Sequence, residues 1–410
     1  MEKRIFCFLS GGVGSFIRLV PIMEELKAQG YTLAYSAIDD VTKKMSALGY
    51  ERIMVPWIAS QDQALLFPET THWYDAADYW GALGYKDKRW IRELWSVYYE
   101  QVKAFKPDLI VGDLAIEMNV VSKMLGVPLV AITQSCYHPL VKGGRLRSWQ
   151  DAPADKPGVI PEVNQVLSEF DLEPIERFEE LFVGDVTIIP SFPEFDRLEQ
   201  GPHETLYVGP ILWDGDLDIH IAPSTNLKRP PIFVYTGRIQ DHFGELGGLF
   251  VLETCLSAFS RIKTPVIISH GGVLVSHQGA ADVELLHGHT VSNNIQLVDW
   301  MPLYLAYGMS RLVIHHGGHG SCMATFQYGT PSLVVPTQSE REYNARAMEN
   351  LGTGRMILPC DFNADSLLQV VDDMLSDPTY RERAICWRHE IRRRTYGGAR
   401  QAAQVIRELA

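Results

Sequence analysis

A turn rich in histidine and glycine, lying between a short apolar run and a helix, has the residue types best suited to chemistry. The run Leu312 to Ile314 predicts a buried parallel strand. The turn after it contains His315, His316, Gly317, Gly318, His319, Gly320 and Ser321. Glycines let the backbone approach a ligand closely, and the free amides of a helix start favour a phosphate group. With a helix expected from about Ser321, this segment predicts a diphosphate site.

Two neighbouring segments are predicted to point at the same crevice. The predicted strand Ile295 to Val298 is followed by Trp300, Met301 and Pro302, so a flat aromatic lies near the mouth of the sheet, where a nucleobase can stack. Beyond the helix, the apolar run Ser332 to Val335 predicts another strand. Polar residues and a proline follow it, at Pro336, Glu340, Arg341 and Asn344. Three successive strand ends are therefore expected at one edge of the sheet.

Together these motifs resemble the donor-binding signature of glycosyltransferases with the two-domain GT-B fold. The resemblance is to the UDP- or dTDP-sugar-dependent family that includes macrolide, sterol and plant secondary-metabolite glycosyltransferases. The matching positions are Trp300, Pro302, His315, His316, Gly317, Gly318, Gly320, Ser321, Pro336, Glu340 and Asn344. The resemblance implies an α/β protein in which two Rossmann-like, doubly wound parallel-sheet domains face a cleft, and a C-terminal helix crosses back to the first domain.

Length and composition agree with two domains and exclude some classes of partner. The chain has 410 residues, of which 46% are hydrophobic, enough to bury two cores. A net charge of -13 disfavours nucleic acid as a partner, since binding to phosphates requires a basic surface. The six cysteines have no paired spacing, and no run of 18 apolar residues occurs. We expect a cytoplasmic protein without a transmembrane segment.

The order of predicted strands and helices divides the chain into two similar halves. Residues 1–213 are predicted to form an acceptor-binding domain, 214–231 a proline-rich linker, and 232–386 a nucleotide-sugar-binding domain. Residues 387–410 are predicted to form the helix that braces the first domain. The last helical region is rich in arginine, which is typical of a solvated helix face and leaves peripheral membrane contact open. The oligomeric state, monomer or homodimer, is also left open.

The N-terminal turn departs from the pattern that the resemblance implies for catalysis. Many of these enzymes have a histidine after the glycine that acts as general base on the acceptor hydroxyl, and here Ser15 follows Gly14. Serine cannot accept a proton near neutral pH. Asp113 matches the aspartate that normally orients this histidine, so it is a candidate base or a helix cap, and His138 is a spare imidazole at the same sheet edge. An acceptor that is already nucleophilic needs no base.

The resemblance also implies a set of donor-binding positions, with two departures. These positions are Gly12, Gly14, Arg238, Trp300, Met301, His316, Gly318, His319, Gly320, Ser321, Glu340 and Arg341. Ala324 stands where a ribose-binding glutamate is common, and Arg341 replaces a glutamine that holds sugar hydroxyls. Arg238 is either a surface arginine or a cation for the leaving diphosphate. No metal is expected at the three turn histidines, because the glycine context explains them.

Eleven aromatic residues lie between Trp57 and Tyr99, and they predict either an acceptor pocket or helix faces packed in a core. The leading hypothesis is a metal-independent, inverting glycosyltransferase of the hexosyltransferase type. It would move a sugar from UDP or dTDP to a small, apolar or aromatic acceptor, with the nucleotide sugar as co-substrate and no other cofactor. A nucleotide-sugar 2-epimerase, or a catalytically degenerate helper protein that binds sugar nucleotides, is the alternative.

Overall fold

A computed structural model shows two sheets of parallel strands, each with helices packed on it. The structure describes residues 3–10, 12–37, 45–54, 74–142, 158–201, 204–213, 229–237, 248–269, 292–298 and 301–410. Most of the predicted linker, residues 214–228, lies outside this set, so the domain boundaries stay predictions. No helix of the described ranges is long and apolar enough to cross a bilayer.

The first sheet has seven described strands in the order β3-β2-β1-β4-β5-β6-β7, all parallel. They are β1 Arg4–Leu9, β2 Thr32–Ala37, β3 Glu51–Arg52, β4 Leu109–Asp113, β5 Leu129–Ile132, β6 Val186–Ile189 and β7 Thr205–Tyr207. The strand order reverses between β1 and β4, because β2 and β3 lie on one side of β1 and β4 to β7 lie on its other side. Ligands of open parallel sheets bind at such a point, beyond the carboxyl ends of the strands.

The helices of this half fill the connections between strands. They are α1 Gly12–Ala28, α2 Ala76–Trp80, α3 Lys88–Phe105, α4 Ile116–Leu125 and α5 Ile160–Glu169. A π-helical segment, Gly81–Tyr85, precedes α3, and a short 3-10 helix, Phe178–Phe182, precedes β6. Helix α4 ends at Gly126 because this residue adopts a φ of 64°, which terminates a helix in the left-handed region.

The second sheet has six described strands in the order β10-β9-β8-β11-β12-β13, again all parallel. They are β8 Ile232–Tyr235, β9 Val266–Ser269, β10 Ile295–Val298, β11 Leu312–His315, β12 Ser332–Val334 and β13 Gly354–Met356. Their helices are α6 Gly248–Phe259, α7 Leu303–Gly308, α8 His319–Tyr328, α9 Ser339–Asn350 and α10 Ala364–Ser376. The order reverses between β8 and β11, so the turn after β11 lies at the switch point of this sheet.

Two C-terminal helices connect the halves: α11 Thr379–Arg393 and α12 Gly398–Leu409. Helix α12 packs on α1, and its Ala402, Ala403 and Ile406 are fully buried in the core of the first sheet. The helix that crosses back therefore begins at Gly398, because α11 runs without a break through residue 387. The crossing predicted from the resemblance is confirmed.

Two arginines of α11, and one just beyond it, bind groups of other elements. Arg381 donates to the carbonyl of Ser310, Arg388 donates to the carbonyl of Tyr328, and Arg394 makes a two-pronged ion pair with Glu194. These three residues brace the second domain and its junction with the first, whereas Arg383, Arg392 and Arg393 are exposed.

The described members of the aromatic stretch favour the core interpretation. Trp80, Tyr85, Trp95 and Tyr98 are each at most 7% exposed and pack around Phe6 and Phe8 of β1. They bury one face of the first sheet under helix α3. Trp57, Phe67 and Trp73 lie outside the described residues.

We expect that Ile406→Ala lowers the free energy of unfolding by about 3 kcal/mol, because it removes a buried side chain and leaves a cavity between α12 and α1. Chemical denaturation monitored by circular dichroism measures this change. Arg407→Ala, at an exposed position of the same helix, is the control and should change stability by less than about 0.5 kcal/mol. Equal effects of the two substitutions would show that α12 does not brace the first domain.

Candidate functional site

The turn after β11 is built around Gly317, which has a φ of +94°. A Cβ at this position would lie 2.7 Å from the backbone oxygen of Arg341 and 2.9 Å from the Cγ1 of Val334. Glycine is therefore required both by the left-handed backbone and by the close approach of helix α9. The turn places the first residue of α8, His319, at the edge of the crevice, two residues earlier than the sequence predicts.

Two further glycines make room for the imidazole of His316. A Cβ on Gly237, after β8, would lie 2.9 Å from its Nδ1, and a Cβ on Gly318 would lie 2.7 Å from its Nε2. The ring also packs against Tyr235, with centroids 5.3 Å apart. His316 is partly exposed, while the turns after β8 and β11 fix its ring. The sheet's switch point thus presents an oriented imidazole beside the start of helix α8.

The preceding histidine has a different environment. His315 is fully buried, its Nδ1 accepts a hydrogen bond from the backbone amide of Gly317 at 3.0 Å, and burial lowers its pKa to about 3. The ring is therefore neutral, and it stabilises the turn from below. This placement agrees with its predicted packing role.

Helix α9 holds the same turn from the other side. The side-chain amide of Asn344 donates to the carbonyl of Gly317 at 2.9 Å and to Glu340 Oε1 at 2.8 Å. Arg341 donates to the hydroxyl of Thr337. Glu340 and Arg341 thus lie in the first turn of α9, next to the glycine turn, as the resemblance implies. Their role in sugar binding stays a prediction.

His319 contacts the first domain. Its Nε2 lies 3.0 Å from Asp196 Oδ2, and both side chains are almost completely buried. The other oxygen of Asp196 accepts from the backbone amide of Ser135 at 2.9 Å and from its hydroxyl at 2.7 Å, and that hydroxyl lies 3.0 Å from the hydroxyl of Tyr343 on α9. Burial opposes ionisation of Asp196, but the hydrogen bonds from His319 and Ser135 outweigh it and lower its pKa. The sequence analysis places His319 among the donor-binding positions, whereas the structure gives its ring a partner in the first domain.

At the switch point of the first sheet, Asp113 is engaged by Arg18. The Nε and Nη2 of Arg18 lie 2.8 Å and 2.6 Å from the two carboxylate oxygens, and both residues are buried. Burial alone would lower the pKa of Arg18, yet the charge of Asp113 and the hydrogen bonds to it raise that pKa, and the more distant charge of Glu340 adds to the rise. The Arg18 guanidinium therefore occupies both oxygens of the Asp113 carboxylate. A carboxylate held by two charge-assisted hydrogen bonds is a weak proton acceptor.

The other predicted catalytic residues are also in closed surroundings. Ser15 is 1% exposed on α1. His138 is fully buried, its Nδ1 accepts from the amide of Leu140 at 3.1 Å, and its Nε2 lies 3.1 Å from the hydroxyl of Thr205 on β7. Both ring nitrogens are thus used within the first domain. A catalytic role for His138 is therefore disfavoured.

The remaining predicted positions are distributed over both switch points. Gly12 begins α1, and a Cβ at Gly14 would lie 3.4 Å from Arg18 Nη1. Met301 is 5% exposed and packs beneath α7, while the carbonyl of Ser321 accepts from Tyr307 at 2.8 Å. Arg238 and Trp300 lie outside the described residues.

Within the described ranges, no group of three or more His, Cys, Asp or Glu side chains is arranged to hold a metal ion.

Comparisons with known proteins agree with this architecture. Residues 273–395 match the family model of the erythromycin biosynthesis protein CIII-like C-terminal domain. The chain is 23% identical to the demethyllactenocin mycarosyltransferase of Streptomyces fradiae, over 98% of this chain and 85% of that protein. It is 32% identical to the erythronolide mycarosyltransferase of Saccharopolyspora erythraea, over 58% of this chain and 53% of that protein. A third relative, the PGL/p-HBAD biosynthesis glycosyltransferase of Mycobacterium tuberculosis, is 23% identical over 68% of this chain. The match covers 65% of the mycobacterial protein, slightly under two thirds of its length.

Solved structures resemble the whole chain. The calicheamicin glycosyltransferase CalG4 aligns with a TM-score of 0.72 and 20% identity, over 100% of this chain and 98% of that chain. The chain has the GT-B fold and is a relative of the natural-product glycosyltransferases. Another GT-B neighbour, the glycosyltransferase SsfS6 of Streptomyces sp. SF2575 complexed with thymidine diphosphate, aligns with a TM-score of 0.67 and 16% identity, over 99% of this chain and 100% of that chain.

Four residues of this GT-B cleft escaped the sequence analysis: Arg18, Ser135, Asp196 and Tyr343. Arg18 could have been predicted from the sequence, because it lies one helical turn after Gly14 on the helix that begins at the switch point. Asp196 and Ser135 come from turns after β6 and β5, far from His319 in sequence. No spacing rule connects them, because tertiary packing alone brings them together.

We expect that Asp196→Asn lowers the free energy of unfolding by about 3 kcal/mol at pH 7, because it replaces a buried carboxylate whose two oxygens are hydrogen-bonded to His319 and Ser135. The pKa of Asp196 is lowered in the folded protein, so its stabilising effect is present at neutral pH and is lost as pH falls through that pKa. The difference between variant and wild type should therefore shrink below about pH 4. Urea denaturation over a pH series measures it.

Asp372→Asn is the matched control, since Asp372 is exposed on α10. It should leave stability unchanged across the pH series. A pH-independent loss in Asp196→Asn would show that packing, and not the charge pair, accounts for the effect.

Proposed function

We propose that this protein is an inverting, metal-independent glycosyltransferase that moves a hexose from a nucleoside diphosphate, dTDP or UDP, to a small apolar acceptor. The observation that carries the proposal is the oriented His316 beside the first turn of α8, at the switch point of the second sheet. A helix start supplies free amides and partial positive charge, and an imidazole adds a donor. These groups are the ones that a diphosphate requires.

The same geometry supports catalysis of sugar transfer. Negative charge develops on the bridging oxygen as the bond between the anomeric carbon and the diphosphate breaks, and preorganised donors stabilise that charge. The acceptor enters from the first domain, opposite the donor, so a single in-line displacement with inversion fits the two facing switch points. The described donors are protein groups, and they stabilise a leaving diphosphate without a metal ion.

The relatives support the substrate class. Two of them are named mycarosyltransferases of macrolide-type acceptors, and one structural neighbour was crystallised with thymidine diphosphate. We therefore place dTDP-sugars first among donors and hydroxylated natural products first among acceptors.

The first test is calorimetric binding of dTDP, UDP, GDP and ADP. We expect base-selective binding, which His316→Ala weakens about 30-fold, since a hydrogen bond to a charged group contributes ~2 kcal/mol. His389→Ala, at an exposed position on α11, is the matched control and should bind as the wild type does. Failure of every nucleotide to bind would reject the proposal.

Metal independence is tested by turnover. With dTDP-glucose or UDP-glucose and a panel of phenolic and macrolide acceptors, we expect the same rate with EDTA as with added Mg²⁺, because protein groups neutralise the diphosphate. Release of the nucleoside diphosphate, followed by chromatography, gives the rate, and the anomeric proton of the product gives the stereochemistry. A rate that falls to background in EDTA, or retention of configuration, would contradict the proposal.

A further inference from the structure

The guanidinium of Arg18 lies at the switch point of the first sheet, on the side from which the acceptor is proposed to enter. Its Nε and Nη2 donate to the two oxygens of Asp113, the last residue of β4, at 2.8 Å and 2.6 Å. Asp113 is fully buried, so its carboxylate has no exposed surface for a substrate. This pair therefore presents a fixed cation, and not a proton acceptor, at the sheet edge.

One nitrogen of Arg18 remains for a ligand. Nη1 has no hydrogen-bond partner among the described residues, and it is not one of the fully buried, unpaired polar atoms. A Cβ at Gly14 would lie 3.4 Å from Nη1, so a larger residue at this position would cover it. Gly14 belongs to the first turn of α1, where a helix has backbone amides without partners inside it. The glycine thus leaves Nη1 accessible beside a helix start.

Elements of the second domain lie close to Arg18. Helix α1 contacts α8, whose first turn is the proposed diphosphate site. Burial lowers the pKa of Arg18, Asp113 raises it, and Glu340 in the first turn of α9 is near enough to raise it further. Asn344 donates both to Glu340 and to the glycine turn after β11. The guanidinium therefore lies between the first sheet and the elements proposed to bind the donor.

The charges around Arg18 keep it protonated and also compensate its charge. Besides Asp113 and Glu340, the phenol of Tyr137, in the turn after β5, acts on Arg18 in the same direction. The thiol of Cys136 beside it stays protonated, because burial raises its pKa. With two carboxylates nearby, Arg18 does not attract anions in general. Nη1 instead supplies one oriented, charge-assisted donor to an oxygen that already carries negative charge.

From this geometry we propose that the acceptor is a phenol, which ionises without a protein base, and that Arg18 Nη1 binds its oxyanion. This inference rests on the proposed function. The phenol gives its proton to water before it reacts. The phenolate oxygen then forms its bond to the anomeric carbon while the bond from that carbon to the diphosphate oxygen breaks, and the electron pair leaves with the diphosphate. An aliphatic alcohol is not ionised near neutral pH, so it needs a base that the Arg18 pair does not supply.

The wild-type protein tests the acceptor class. Release of nucleoside diphosphate from dTDP-glucose or UDP-glucose is followed with 4-nitrophenol, 4-methylphenol and 4-methylbenzyl alcohol as acceptors. We expect the acidic limb of kcat/KM to lie at lower pH for 4-nitrophenol than for 4-methylphenol, because the nitro group makes the first phenol the stronger acid. The benzyl alcohol should react at least about 100-fold more slowly than the phenols, since a positioned base contributes at least that factor.

Arg18→Lys tests the residue itself. Lysine keeps the charge but lacks the fork, so it cannot hold both oxygens of Asp113 and bind an oxyanion with a third nitrogen. We expect kcat/KM for both phenols to fall about 30-fold, as for the loss of one hydrogen bond to a charged group. The Kd of dTDP or UDP, measured by calorimetry, should stay within about twofold of wild type. Arg89→Lys, at an exposed position on α3, is the matched control and should behave as the wild type does.

Several results would overturn the inference while the glycosyltransferase proposal stands. An acidic limb at the same pH for both phenols, or transfer to the benzyl alcohol at the rate of a phenol, would show that the protein supplies a base. Wild-type kcat/KM in Arg18→Lys, or a loss of nucleotide affinity as large as the loss of kcat/KM, would remove Arg18 from the acceptor site. A wild-type protein that binds a nucleotide but transfers to neither phenol would reject the acceptor class.

Thermal unfolding tests whether Arg18→Lys is folded, and the wild-type series decides the acceptor class without any variant. If the wild-type protein binds no nucleotide, the proposed function fails, and the inference fails with it.

Discussion

The contact between His319 and Asp196 fixes the position of helix α8 relative to the first domain. Both groups are almost fully removed from water, and a buried carboxylate that loses its partner is strongly destabilising. Ser135 satisfies the second carboxylate oxygen, and Phe195 contacts the edge of the imidazole. Helix α8 cannot slide along the cleft without leaving a buried charge unpaired. The geometry of the cleft thus depends on a buried hydrogen bond between a carboxylate and an imidazole that come from different domains.

An apolar interface surrounds this pair and excludes water from it. Phe192 and Phe195 of the first domain pack against Phe326 of α8 and Trp387 of α11. The opposite side of the cleft has a buried salt bridge, Arg18 with Asp113, which lies within one domain. The two contacts differ in consequence: the first links the two domains, and the second occupies both oxygens of a carboxylate at the switch point of the first sheet.

Sequence reasoning succeeded where one local cause determines the structure. The apolar run Leu312 to Ile314 forms a strand, β11, as predicted, because continuous apolar runs are typical of parallel strands buried on both faces. The glycine turn is also present where it was predicted, but Gly317 is required by its positive φ and its close contact with α9, whereas the sequence analysis expected the glycines to let the backbone approach a ligand. These features need only a few neighbouring residues to explain them.

Prediction failed where distant residues compete for a group. Asp113 was predicted to be either a base or a helix cap, and its partner in the structure is Arg18. The partner of His319 comes from a turn more than a hundred residues earlier. Helix α8 begins at His319 because Gly318 has an extended ψ of 143° and serves as the helix cap, a detail that residue types alone do not give. Side-chain partners are decided by the packed fold, so the architecture was more predictable than the chemistry of its cleft.

The packing of α12 on α1 has a consequence for biosynthesis. A ribosome delivers the strands of the first sheet early, but Ala402, Ala403 and Ile406, which complete its core, are synthesised after the whole second sheet. Until then, apolar side chains of α1, among them Leu19 and Val20, lack their final cover. Domains of a multidomain chain usually fold in order of synthesis. Here the first domain has to wait for the second, so the nascent chain offers a binding surface to chaperones throughout most of its translation.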